Sequence, residues 1–109
     1  MPRACTVTGS FTTRVGVAGQ GLVQFTPRRL WVVRDGIHWA CLAPQVWLDY
    51  AGCFTVQVTA TDNDAISWDY EIRTPAGTFR VPIPWSEAGW SLRELIDEHH
   101  PGPRPPHRR

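Results

Sequence analysis

Between residues 53 and 84, three short segments alternate apolar and polar side chains almost without exception. Phe54, Val56, Val58 and Ala60 are interleaved with Thr55, Gln57 and Thr59. Trp68, Tyr70 and Ile72 repeat the pattern against Asp69, Glu71 and Arg73, and Phe79, Val81 and Ile83 repeat it against Thr78, Arg80 and Pro82. A period of two puts successive side chains on opposite faces of a strand, one for a core and one for water. The water-facing set is threonine, glutamine and scattered charge rather than a group of acids, bases or ligands. The pattern predicts half of a β-sandwich, and points away from an enzyme and toward a binding or structural module.

The remaining chain supplies the other half. Val7, Gly9 and Phe11 alternate with polar neighbours over residues 6–12, and three glycines in residues 13–21 predict a loop. Val23 and Phe25 point inward from a second strand, which Pro27 ends because proline lacks a ladder donor. Residues 30–33 and 37–42 flank Asp35-Gly36. A type I′ turn needs positive φ at both central positions, so this dipeptide predicts a hairpin. Residues 46–50 read as a further strand, turned by Ala51-Gly52 into the segment that starts at Cys53, and Asp62-Asn63-Asp64 ends that segment in a polar loop. Pro75-Ala76-Gly77 joins the last two strands, and Pro82 and Pro84 mark the final one as an edge strand or as leaving the sheet. About seven or eight short strands, with turn signals at intervals of roughly 8–12 residues, predict an all-β sandwich.

The chain ends differently. Ser91-Leu92-Arg93-Glu94 is a capping box, and Leu92, Leu95 and Ile96 form one apolar stripe of a short helix. A helix this short is marginal alone, so it must dock on the sandwich or on a neighbour. Four prolines and three arginines in residues 101–109 predict an extended, polyproline-like tail. The expected division is a β-sandwich domain with its helix over residues 1–98 and a tail over residues 99–109. A chain of 109 residues suits a single core.

Composition excludes several functions. The formal net charge is +1, and Arg28-Arg29 and the tail arginines are the only basic clusters, so no specific nucleic-acid partner is expected. All eleven basic residues are arginine, which rules out a phosphate loop built on lysine and reflects a G+C-rich coding bias. No run nears the ~18 apolar residues of a membrane span, and no secretory signal opens the chain, so synthesis in a cytoplasm without export by that route and without membrane insertion is expected. Cys5, Cys41 and Cys53 form no C-x-x-C and are expected as reduced thiols, a disulfide between two of them being the alternative. His99 and His100 are adjacent, His107 lies in the tail, and no His-x-x-x-His face exists, so no metal is expected. Asp62-Asn63-Asp64 lacks the glycine and distant glutamate of a calcium loop and reads as a polar turn. Ser10, Ser67, Ser86 and Ser91 lie outside any nucleophile elbow, and a triad through His38 would need partners from scattered strands. Neither a catalytic residue nor a cofactor is expected.

Six tryptophans remain to be placed. Trp39 and Trp68 fall on apolar faces and belong in the core. Trp31 and Trp47 fall out of phase with their apolar neighbours, and Trp85 and Trp90 frame the link to the helix. Exposed tryptophan suits a protein interface, and less often sugar stacking. The candidate partner surface is therefore Trp31, Trp47, Trp85 and Trp90, the stripe Leu92, Leu95 and Ile96, and Pro103-Arg104 within a P-x-x-P stretch of the tail.

Read in order, several landmarks form a series. They are Val7-Thr8-Gly9, then Gly21-Leu22-Val23-Gln24-Phe25-Thr26-Pro27, Gly52-Cys53-Phe54-Thr55-Val56 and Ala60-Thr61-Asp62. Trp68-Asp69-Tyr70-Glu71-Ile72, Phe79-Arg80-Val81-Pro82-Ile83-Pro84 and Ser91-Leu92-Arg93-Glu94-Leu95-Ile96 complete it. Over residues 5–98 the series resembles the immunoglobulin-like or prealbumin-like β-sandwich modules in minor tail and baseplate proteins of long-tailed bacteriophages, especially those of G+C-rich Gram-positive hosts. The tryptophan-rich residues 30–50 depart from the short hairpin usual there. The resemblance implies a non-enzymatic component of the virion, whose partners are other virion proteins, in a homo-oligomer or ring. The alternatives are a carbohydrate- or receptor-binding adhesin module with a host-surface glycan as ligand, and a capsid decoration protein.

Overall fold

Each alternating segment forms a strand, and the apolar faces of two sheets close over one core. The computed structural model describes residues 2–11 and 21–99. Most of the expected loop at residues 13–21 lies outside them, as do His100, His107 and the tail with Pro103 and Arg104. Among the described residues the strands are β1 (Ala4–Ser10), β2 (Leu22–Pro27), β3 (Trp31–Arg34), β4 (Ile37–Ala40), β5 (Gln45–Trp47), β6 (Cys53–Thr59), β7 (Tyr70–Thr74), β8 (Gly77–Val81) and β9 (Trp90–Ser91). One helix, α1 (Leu92–His99), follows them. One sheet has the order β6-β1-β9, the second β5-β2-β7-β8, and β3-β4 stands as a separate two-stranded arm. The chain is all-β apart from this helix.

Register puts the apolar sets where the period demands. Val7 faces Val56 across β1 and β6, and Phe25 faces Ile72 across β2 and β7. Cys5, Val7, Phe54, Val56 and Val58 of the first sheet meet Val23, Phe25, Tyr70, Ile72 and Val81 of the second in one buried cluster. The Asp35-Gly36 turn has φ of 54° and 74°, as a type I′ hairpin requires. Strand β8 is an edge strand that ends at Val81, before Pro82.

Three elements differ from the sequence reading. Strand β5 stops at Trp47 instead of reaching residue 50, because Asp49 starts a turn: its Oδ1 accepts the N–H groups of Ala51 and Cys53, both at 2.9 Å. Thr59, expected to face water, is buried. Its hydroxyl accepts the Leu42 N–H at 2.9 Å, and its own N–H donates to the Tyr70 hydroxyl at 3.0 Å, which in turn donates to the Leu42 carbonyl at 2.7 Å. Burial pushes the Tyr70 phenol well above its ordinary pKa, so it stays a donor. The third element, β9, pairs in parallel with β1 through Val7–Trp90 and Thr8–Ser91 and was not foreseen.

The capping box forms as written in the sequence. The Ser91 N–H donates to Glu94 Oε1 at 2.9 Å, and the Glu94 N–H donates to Ser91 Oγ at 3.1 Å. Leu92 and Leu95 enter the core and Ile96 packs beside it. Burying two leucines contributes about 1.5–3 kcal/mol each, which explains how so short a helix persists.

Candidate interaction surface

Neither strand of the β3-β4 arm joins a main-sheet ladder, so side chains must hold it, among them Thr59 and Tyr70 at Leu42 just beyond β4. Val32 is fully buried beneath the arm. Further anchorage comes from Asp62-Asn63-Asp64, which is a knot and not a plain turn. Asp64 accepts from Arg29 Nη1 at 2.6 Å, from the Val33 N–H at 2.9 Å and from the Ile66 N–H at 3.1 Å. Asn63 is buried; its Oδ1 accepts from the Arg3 N–H at 2.7 Å and from Arg34 Nη1 at 3.2 Å. Its Nδ2 donates to the carbonyls of Arg3 at 2.9 Å and Ala60 at 2.8 Å. Asp62 accepts the Trp85 N–H at 3.0 Å. One tripeptide thus joins the arm, the N-terminal segment and the segment after β8.

The hydrogen bond from Arg29 holds the Asp64 carboxyl down to about 2, helped by the two backbone donors and opposed by burial. A carboxylate whose pKa is lower folded than unfolded stabilises fully above about pH 5, and that contribution fades as pH falls towards 2. The size is on the order of 2 kcal/mol. Denaturant unfolding at pH 6, 4 and 2.5 should show this fall, and Asp64→Asn should remove that part of it while lowering stability at pH 6. An unchanged pH slope in Asp64→Asn would sink the assignment.

So anchored, the arm shows water an apolar surface. Leu30 is 76% exposed, Trp31 47%, Ile37 53% and Leu42 45%. Trp31 meets His38 edge-on, with ring centroids 5.7 Å apart and planes at 78°. The Cys41 N–H bonds to the Leu30 carbonyl at 3.0 Å, and alternation along the ladder then turns the backbone groups of His38 and Ala40 away from β3. Among the described residues nothing bonds that outer edge of β4, whereas the opposite edge gives its Val33 N–H to Asp64.

The other expected surface residues do not converge on this arm. Trp47 stands 67% exposed on β5, and nearby in sequence Tyr50 is 92% exposed. Trp85 is exposed beneath the Arg3 guanidinium, 5.1 Å from its ring centre. Trp90 is half-buried and donates its indole N–H to the Pro84 carbonyl at 2.7 Å. Leu92 and Leu95 are buried in this chain's own core, and Ile96 packs against it half-buried, so the stripe docks on the sandwich. Of the two tryptophans expected in the core, Trp68 packs against it while half-buried and Trp39 is half-buried on the arm; neither indole N–H has a partner among the described residues. Leu30, Ile37, Leu42 and Tyr50 were missed, since an apolar residue in a short strand reads as core until its neighbours are known.

Chemistry is sparse elsewhere. A groove of about 1030 Å³ lies between the ends of β1 and β6 and the helix, lined by Phe11, Cys53, Phe54, Arg93 and Asp97 among others. Among the described residues the Cys53 thiol makes one long hydrogen bond, 3.8 Å, to the Ala51 carbonyl. Cys5 is buried, which raises its thiol pKa, and donates to the Pro84 carbonyl at 3.5 Å. Register sets Cys5 opposite Val58 and Cys53 opposite Ser10, some five residues or about 16 Å apart, far beyond a disulfide's reach. Among the described residues no group of three His, Cys, Asp or Glu side chains could hold a metal, and no helix is long and apolar enough to cross a membrane. No protein-family model matches the sequence, and none of the curated proteins compared with it matches either.

Proposed function

We propose that the chain is a non-enzymatic structural component of a bacteriophage virion, a minor tail or baseplate protein that works by binding its neighbours. The observation that carries this reading is the β3-β4 arm, a rigidly anchored hairpin that presents apolar and aromatic side chains to water instead of a reactive group. Exposed clusters of this composition are the mark of a contact surface. The landmarks of residues 5–98 supply the phage context. Topology supports the immunoglobulin-like part: taken in chain order as B, C, C′, E, F and G, strands β1, β2, β5, β6, β7 and β8 give the sheet orders E-B and C′-C-F-G. Strand β9 lies beside β1 at the edge that strand A takes in such sandwiches.

An antibody to the chain, applied to purified particles of the phage that encodes it, should label the tail tip, and peptide mass spectrometry should recover the chain at stoichiometric amounts. Particles free of the chain would overturn the reading, and label on the head would favour a decoration protein. One observation favours glycan binding as a second reading, namely the exposed Trp47 at the end of β5 with the exposed Tyr50 three residues on. Retention of the chain on immobilised host-wall glycan, abolished by Trp47→Ala, would select it.

A further inference from the structure

We infer that β4 is a self-pairing edge: two copies of this chain join β4 to β4 antiparallel, about a two-fold axis at Trp39, into one four-stranded sheet. The inference rests on the assembly reading for its setting and names one partner for the arm. It starts from the ladder. His38 and Ala40 direct their N–H and C=O groups outward, two residues apart, with no bond among the described residues. In a two-fold antiparallel pairing centred on Trp39, His38 lies opposite Ala40 of the second copy and Ala40 opposite its His38. Each of these pairs exchanges two hydrogen bonds, so all four outward groups on each strand are satisfied at once. A two-fold contact needs a self-complementary strand, and this one is.

The side chains agree with that register. Ala40 is small and sits beside the ring of His38 from the second copy, which leaves room over it. Ile37 lies across from Cys41, and the pairing stops there because Thr59 and Tyr70 take the Leu42 N–H and carbonyl. The half-exposed Ile37 therefore gains a cross-strand neighbour in Cys41 of the second copy. Strand β4 reads Ile-His-Trp-Ala and has no carboxylate or guanidinium, so two copies meet without opposed like charges. Open edges elsewhere are blunted in the ways edges usually are. Strand β5 has three residues and follows Pro44, and β8 carries the exposed Arg80 and runs into Pro82. Strand β6 is engaged by Asp49 at Cys53 and by Tyr70 at Thr59, which leaves the polar Thr55 and Gln57 between. A contact this size sits at the small end of interfaces, so a weak dimer is expected, with dissociation in the micromolar-to-millimolar range.

The test is sedimentation velocity on the full purified chain from about 10 μM to 1 mM, a span chosen to bracket that range. The wild-type chain should dimerise with concentration. Ala40→Lys should weaken association at least about tenfold, since a solvated ammonium blocks the edge. His38→Glu should weaken it as well. Mixed in equal amounts, the two variants should associate up to about fivefold more tightly than Ala40→Lys alone, because the register brings each new lysine opposite a new glutamate. Melting curves identify any variant that has merely unfolded, and Thr55→Lys on the β6 edge should associate like wild type. A chain that stays monomeric at 1 mM, an Ala40→Lys dimer as tight as wild type, or a mixture no tighter than its components would each overturn the pairing. Such a result leaves the virion reading to the labelling experiment, and unlabelled particles would leave the solution dimer standing.

Discussion

Gly52→Ala is expected to lower the unfolding free energy by about 3–5 kcal/mol, against the roughly 5–15 kcal/mol available to a domain of this size. Gly52 has φ of 78°, a left-handed conformation that costs an L side chain about 1–2 kcal/mol. The larger share comes from position. A Cβ there would run into the Phe11 carbonyl oxygen, which is backbone and has nowhere flexible to go. Relief means moving the 49–52 turn away from residue 11, and that breaks the 2.8 Å bond from the Phe11 N–H to the Gly52 carbonyl. Gly36 supplies the internal control. Its φ is 74°, yet a Cβ there meets nothing within 4 Å, so Gly36→Ala should show the conformational cost alone, about 1–2 kcal/mol. Urea midpoints of the two variants measure the difference. Equal losses would mean that the close approach at Phe11 contributes nothing.

Asn63→Ala should cost about 2–4 kcal/mol, from a site that a sequence scan would rank as an ordinary loop. The side chain serves four partners, and its removal leaves the buried Ala60 carbonyl without its donor. Asn63→Asp keeps the shape but replaces the two N–H donors with a carboxylate facing two carbonyls, so it should be as harmful or worse. Asp62→Ala, which removes one bond from an exposed side chain, should cost about 1 kcal/mol or less. Denaturation ranks the three, and hydrogen exchange at Val33 and Arg34 should speed up in both Asn63 variants as the arm loosens. Unchanged exchange there would separate the arm from the knot.

Features written in local chemistry were legible from the sequence. The Asp35-Gly36 turn and the Ser91–Glu94 box each need particular residues at particular offsets, and both are present as read. Period-two alternation located five of the strands and most of the buried cluster, and apolar runs beside turn signals located three more. What it could not reveal is anything decided by a partner distant in sequence. Thr59 sits at a water-facing phase and is buried because Tyr70, eleven residues on, reaches its amide. Strand β9 has two residues, too few for any period, and exists because β1 offers a parallel edge. The candidate surface was half legible for the same reason. The phase slip at Trp31 marked it as exposed, whereas Leu30, Ile37 and Leu42 look like core until the arm is seen to stand apart from both sheets. Leu92 and Leu95 were the converse case, an apolar stripe whose docking partner was this chain itself.

The parallel pairing of β9 with β1 also governs the order in which the molecule can be completed. The first strand has its two neighbours in β6 and β9, so the sheet at its centre cannot close until Trp90 and Ser91 have been made. About 80 residues separate Ser10 from Trp90, which a ribosome adds in roughly 4–16 s at about 5–20 residues per second. Throughout that interval the apolar face of Ala4–Ser10 has no finished sheet to join. The nascent chain therefore presents Val7 and its neighbours to water, an exposure that a holding chaperone would cover. Release from it should coincide with emergence of Leu92 and Leu95, the last residues to seal the core.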